Sequence, residues 1–350
     1  MKLKSLLIGS AAVMAASATS AKAADAIVMA EPEPMEYVRI CDVYGTGFFY
    51  IPGTETCMKI GGYYRFQLQF ASTTNNWLAR FAPSFDVRNE TEWGTLRGFA
   101  EIEFDYTYGA FSTFAAAAGG AVTTGMGYRN TTNLNHAYIE IITASGTLRM
   151  GKGDSPYARF LGYGSGNVYG GVYGFSNDIE ISYQFNGSNG FSAIVALVND
   201  AGDNDYVPDI HGGISFTQGW GSVGVAAAYD ESTGAWGAKG VLRFNAPNGS
   251  FSGGLHVFYS SGAAGSPYTI VDPGGAGTAP WSILAHVRGQ FTATTAGVLS
   301  AQWFSNTGGF DLVGGLDIRP IDGLRIRPEV RYRTTCGGWG ATLRFDRAIP

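Results

Sequence analysis

The sequence predicts an all-β protein, a transmembrane antiparallel β-barrel of about 16 strands with short periplasmic turns and longer extracellular loops. Three observations predict it. The first is the stretch 323–334, GLRIRPEVRYRT, in which Leu324, Ile326, Pro328, Val330 and Tyr332 alternate with Arg325, Arg327, Glu329, Arg331 and Arg333. Successive side chains of a strand face opposite ways. One face is therefore apolar and the other charged, as between lipid and a water-filled lumen. The second is that no apolar run after the N-terminus approaches the ~20 residues of a spanning helix. A chain that crosses lipid without helices must close its sheet, because only helices and closed sheets pair every backbone polar group there. The third is that the connections between alternating segments themselves alternate between short and long.

Taken in order, the chain opens on a secretory signal over residues 1–23. Lys2 and Lys4 precede an apolar stretch over 6–16, and Ala21-Lys22-Ala23 supplies a small-x-small cleavage site. Cleavage there starts the mature chain at Ala24 and removes three lysines from a chain whose formal charge is already −5. An acidic chain without a basic tract argues against nucleic acid as a partner. Residues 24–58 form an N-terminal segment, beginning with an extended Glu-Pro lead-in, and 59–350 form the barrel. Cys41 and Cys57 bracket a short loop containing the turn signal Pro52-Gly53. In an oxidising periplasm a disulfide is expected there, the alternative being buried free thiols. Cys336 is left unpaired in a surface loop beside Gly337-Gly338. No His neighbours complete a metal ligand set, and no cofactor is implied.

The alternating segments run 59–70, 80–88, 95–106, 134–143, 147–153, 178–186, 191–200, 209–218, 222–231, 235–246, 251–260, 281–292, 297–305, 310–319, 324–334 and 339–347. In 95–106, Leu96, Ala100, Ile102, Phe104 and Tyr106 face outward, and Arg97, Glu101, Glu103 and Asp105 inward. Asn75-Asn76 marks a loop. Short connections fall at 144–146, 187–190, 219–221, 248–250, 295–296 and 322–323. The long ones cover 107–133, 154–177, 201–208 and 261–280. A soluble Greek key has no reason to sort its loops in this way.

The N-terminal run AADAIVMAEPEPMEYVRICDVYGTGFFYIPGTETCMKIGGYYRF resembles the start of the alphaproteobacterial general porins. The likeness is dense over Ala24 to Val28, Glu36 to Asp42 and Tyr50 to Cys57, with echoes at Glu90 to Leu96, Gly190 to Ala193 and Gly219 to Ser222. The resemblance implies a 16-stranded, homotrimeric outer-membrane channel for small hydrophilic solutes, in contact with outer-membrane lipid and lipopolysaccharide. It also implies that the third extracellular loop folds into the lumen and narrows it. The chain departs from the family at its C-terminus, where Phe345 is the equivalent of the usual terminal aromatic and a short extension follows.

Lumen-facing charge sets which ions pass. Inward arginines cluster at both ends of the barrel: Arg65, Arg80, Arg88 and Arg97 early, and Arg325, Arg327, Arg331, Arg333 and Arg344 late. Closure makes the first and last strands neighbours, so the clusters are expected to merge into one basic wall. The other reading is that they pair with Glu101, Glu103, Asp105 and Glu329. The expected constriction loop carries Asp154, Tyr157, Arg159 and Tyr163, then Tyr169 and Tyr173. With Asp154 as its one carboxylate, it predicts a weak transverse field and a tendency toward anion passage; the plainer alternative is that most of the tyrosines pack the loop against the wall. His136, His211, His256 and His286 lie on different strands without a nucleophile and acid in reach, which argues against an enzyme. His256 and His286 are expected at water-solvated lumen positions. A substrate-specific channel for a sugar or an anion is the alternative function, and an adhesin fits the modest loops less well.

Overall fold

The computed structural model describes residues 38–71, 75–114, 122–199, 207–262, 266–273 and 277–349. The expected signal over 1–23 lies outside them. A two-residue strand β1 (Phe49–Tyr50) precedes the sixteen of the barrel. These are β2 (Cys57–Ala71), β3 (Asn75–Thr91), β4 (Gly94–Phe114), β5 (Val122–Thr143), β6 (Gly146–Asp154), β7 (Asn177–Asn186), β8 (Phe191–Val198) and β9 (Asp209–Gln218), followed by β10 (Gly221–Tyr229), β11 (Trp236–Asn245), β12 (Phe251–Ser260), β13 (Trp281–Thr292), β14 (Thr295–Phe304), β15 (Phe310–Ile321), β16 (Leu324–Arg333) and β17 (Gly338–Ile349). Each pairs antiparallel with its neighbours in sequence, and β17 pairs with β2 from Gly340↔Ala71 to Ile349↔Gly62. The ring leaves no free edge among the described strands, which is what lipid requires of a sheet that crosses it.

Side-chain parity fixes this register. On β7, Ile179, Ile181, Tyr183 and Phe185 are exposed on the outside, whereas Glu180 and Ser182 are buried inside. A one-residue slip on β16 would turn Arg325, Arg327, Arg331 and Arg333 into lipid, at about 2–4 kcal/mol each near the midplane. Aromatic girdles mark the two membrane surfaces. Trp236, Tyr259 and Trp281 pack in sequence at the long-loop end, with centroids 4.6 and 4.8 Å apart. Phe244 and Phe251 meet at the short-turn end, 5.7 Å apart. Trp236 and Phe244 share β11, and at about 3.3 Å per residue with a tilt near 40° their separation spans roughly 20 Å of the membrane normal.

Two sequence expectations change. Asn75 and Asn76 belong to β3 rather than a loop, paired with Phe70 and Gln69. The connection expected over 107–133 is instead the upper part of a long hairpin, with β4 running to Phe114 and β5 starting at Val122. Side-chain alternation fades there, but the backbone ladder continues, with Tyr106 and Tyr108 packed on Tyr128. The long connection expected over 261–280 does separate β12 from β13, and of its described residues Tyr268 and Ile270 are buried, turned inward.

Residues 40–56 form a strap at the short-turn mouth. β1 pairs with β2 at Cys57 and Met58, continuing the edge that β17 leaves at Gly62. The expected disulfide joins Cys41 to Cys57, and Phe48 packs over it. The Arg88 guanidinium lies 5.0 Å from the Phe48 ring, the Lys59 ammonium donates to the Thr46 carbonyl at 3.1 Å, and the Tyr44 hydroxyl donates to Glu90 at 2.9 Å. Burial, and then that carboxylate, push the Tyr44 phenol up to about 12. A crosslink of this span is worth about 3 kcal/mol of chain entropy. Reduction is therefore expected to raise chymotryptic cleavage at Tyr44 and Phe48 by about 100-fold. Mass spectrometry of digests with and without reductant checks this, and equal cleavage would show that packing alone holds the strap.

Candidate functional site

The connection from β6 to β7 is a segment laid along the inner wall. Ser155 caps a one-turn helix α1 (Pro156–Arg159), accepting from Ala158 N–H. The Arg159 guanidinium donates to Glu180 and Ser182 of β7 at 2.8 and 2.9 Å. Lys239 of β11 donates to the Ala158 carbonyl and lies 4.8 Å from the Tyr157 ring. Farther along, Glu329 of β16 accepts from Val168 N–H at 2.8 and 2.9 Å and from Tyr169 N–H at 3.2 Å. Gln302 of β14 accepts from Val172 N–H and donates to the same residue's carbonyl, both at 2.7 Å. Gly171 and Gly174 have φ of +88° and +69°. A Cβ at Gly171 would strike Gln302, and one at Gly174 the Tyr157 ring, so no larger residue fits either bend.

A second inward segment meets the first at β9. Tyr157 N–H donates to His211 Nδ1 at 3.3 Å, which leaves the ring proton on Nε2. Nε2 then donates to the Tyr268 oxygen at 2.6 Å, and the Tyr268 hydroxyl donates to Asp209 at 2.6 Å. Under the two segments the lumen face carries two apolar clusters among its polar anchors. Tyr157, Leu161 and Tyr268 pack on Ala226, Ala228 and Val241, and Ile270, Val172 and Tyr173 pack on Phe258, Leu284 and Phe304. This overturns the expectation of water around His256, which is 1% exposed beneath this cover.

The opposite half of the wall is ionic. The two arginine clusters do lie side by side, since β17 pairs with β2, but carboxylates on adjacent strands meet most of them. Arg65 and Arg327 share Asp346, Arg80 takes Glu103 and Asp105, Arg325 takes Asp317 and Arg331 takes Asp311. A chain of alternating charge runs Arg88–Asp86–Arg97–Glu140–Arg149–Glu180–Arg159, with contacts of 2.7–2.8 Å except 3.8 Å at Arg149–Glu180. It crosses five strands and ends on α1. Arg344 hydrogen-bonds Gln67 and has no carboxylate within ion-pair distance among the described residues.

The sequence-predicted residues therefore separate. Asp154, Tyr157, Arg159 and Tyr163 all lie at the start of the inward segment. Tyr157 is a packing residue, buried against β9–β11. Tyr163 is 44% exposed, and its hydroxyl donates to Asp154. Burial, with that carboxylate second, raises its phenol, and burial pushes Tyr173 up to about 12, so both stay neutral at ordinary pH. Of the carboxylates offered as arginine partners, Glu103 and Asp105 serve. Glu101 instead accepts from Asn135 at 2.8 Å, and Glu329 holds the loop. Sequence reasoning missed Gln302, Lys239 and Tyr268, and it named His211 without an anchoring role. Their signal was the set of large apolar lumen-facing residues Val241, Phe258, Leu284 and Phe304, which a merely water-filled bore does not need.

A family profile described as "Porin subfamily" matches residues 25–339. Porin Omp2a of Brucella canis is 36% identical over a 375-residue alignment covering 99% of this chain and 97% of the relative. Porin Omp2b of Brucella abortus matches with the same identity and coverage. Among solved structures, OprB of Pseudomonas putida aligns with a TM-score of 0.57 at 9% identity, over 83% of this chain and 92% of its own. A triple mutant of the porin of Rhodopseudomonas blastica aligns at 0.55 and 14% identity, over 83% and 100%. At such identities the structural likenesses speak for the fold alone.

Proposed function

The chain belongs to the porin subfamily, whose members are outer-membrane channels for passive diffusion, and we propose that it passes small hydrophilic solutes and ions through a lumen narrowed by the segment over 155–176. The observation that carries this is the division of the inner wall. One half is covered by a segment anchored on Glu180, His211, Lys239, Gln302 and Glu329, and the other is left to paired charges and open to water. The eyelet then lies between Tyr163 and the wall formed by Arg65, Arg80, Arg97, Arg325, Arg327, Arg331 and Arg344. A homotrimer in outer-membrane lipid and lipopolysaccharide is the assembly we assign to it. Family membership supports the channel reading over an enzymatic one.

Pairing quenches most of the arginine field, because a guanidinium and carboxylate in contact look nearly neutral beyond a Debye length of about 8 Å. Arg344 escapes that quenching, so the channel prefers anions modestly. In a tenfold KCl gradient across a planar bilayer, the zero-current potential is expected on the anion side, and Arg344→Gln is expected to reduce it by about half. Clear cation preference in the unaltered protein would overturn the assignment.

A further inference from the structure

We propose that the extracellular vestibule holds a capture site for a small hydroxylated anion, a sugar acid or a sugar phosphate. The inference rests on the channel reading above and adds a ligand to it. A cavity of about 330 Å³ sits where β16, β17 and β2 reach the long-loop end, lined by Gln69, Asn76, Tyr169, Arg331 and Arg333. Arg331 is neutralised by Asp311 and lies 5.0 Å from the Tyr169 ring centroid. Arg333 is different. Its Nε is buried without a hydrogen-bond partner, and no ion pair satisfies it among the described residues. A guanidinium without an ion pair supplies terminal donors that match a carboxylate or phosphate.

The amides define the rest of the ligand. Gln69 and Asn76 also line a second space of about 310 Å³, which continues toward Gln67 and Thr107. Amide and hydroxyl groups donate and accept alike, as hydroxylated carbons require. Chloride would use only the arginine. A neutral sugar would leave Arg333 unmet. An anionic sugar derivative uses both ends, against a tyrosine ring fixed by the Arg331 guanidinium and by the Glu329 grip on the Tyr169 backbone. The cavity also carries its own reporter, since the free Cys336 lines it and is exposed.

The test titrates gluconate, glucose 6-phosphate and glucose on the long-loop side of full-length channels carrying KCl current in planar bilayers. At least one of the two anions is expected to block at concentrations tenfold or more below glucose, and the better one tells carboxylate from phosphate. Arg333→Gln and Tyr169→Leu are each expected to raise its half-blocking concentration at least fivefold. Leucine at 169 keeps the charge count, so its effect separates a contact from a field. In parallel, the blocking anion is expected to slow modification of Cys336 by an anionic methanethiosulfonate at least fivefold, while glucose does not. Glucose blocking as well as either anion, block that weakens in Arg333→Gln but not in Tyr169→Leu, or no protection of Cys336 would each overturn the site. Absence of KCl conductance steps in the unaltered protein would count against the channel reading itself.

Discussion

Replacing Glu140 with alanine is expected to destabilise the barrel by about 3–5 kcal/mol, the cost of removing one partner from a buried ion pair. Glu140 is 4% exposed and sits between Arg97 and Arg149, at 2.8 and 2.7 Å. Arg97 would keep Asp86, but Arg149 would be left with Glu180 at 3.8 Å. The lumen position softens the loss only in part, because both arginine side chains are less than a fifth exposed. The Tyr138 ring, 4.0 Å from the Arg149 guanidinium, would remain, but it cannot replace the lost carboxylate. Urea unfolding of the protein refolded into lipid vesicles measures the cost. A charge-pair origin predicts that Glu140→Ala with Arg149→Ala together is less destabilised than the sum of the two single changes, by 1 kcal/mol or more. Strict additivity would mean that Glu140 acts through packing.

The lipid face was legible in the sequence because it rests on one rule applied locally. Ile179, Ile181, Tyr183 and Phe185 share a parity, and no distant residue can change which way they point. The hairpin above Tyr106 was not legible, because outside the membrane nothing forces the two faces to differ while the backbone pairing needs no side-chain pattern. The lumen divides on the same principle. That Arg65 and Asp346 would meet follows from closure of the ring, given that β17 is paired to β2. Glu329 shows where such reasoning stops. Flanked by Arg327 and Arg331 on its own face, it reads as their counter-charge. The structure pairs those two with Asp346 and Asp311, and it turns Glu329 to backbone amides 160 and 161 residues away. Choice among several acidic partners is a three-dimensional competition, and periodicity carries no term for it. The apolar lumen positions Val241, Phe258, Leu284 and Phe304 did carry a signal. Four such side chains facing a bore must be covered, and their sequence says which half of the barrel the cover takes, although not which segment supplies it.

Removing the two wall residues that hold the tip of the inward segment, Glu329→Ala with Gln302→Ala, is expected to produce the largest change in conduction. These side chains accept from three backbone N–H groups, those of Val168, Tyr169 and Val172. Gln302 also donates to the Val172 carbonyl. Both are almost wholly buried. Each orphaned buried donor costs about 1–3 kcal/mol, and water reaching the vacated space returns part of that. A net loss of about 3 kcal/mol raises the detached population of the tip roughly 100-fold. The base stays anchored by Arg159 on Glu180 and by Tyr157 on His211, so the segment swings about α1 rather than unfolding. Single-channel records of the double variant are expected to show excess open-channel noise and brief closures as the freed tip crosses the bore. Glu329→Gln keeps one acceptor oxygen and is expected to show a smaller effect of the same kind. If the double variant conducts as steadily as the unaltered channel, the apolar contacts of Val172 and Tyr173 with Leu284 and Phe304 are sufficient to pin the segment. The hydrogen bonds would then set its register on the wall and not its attachment.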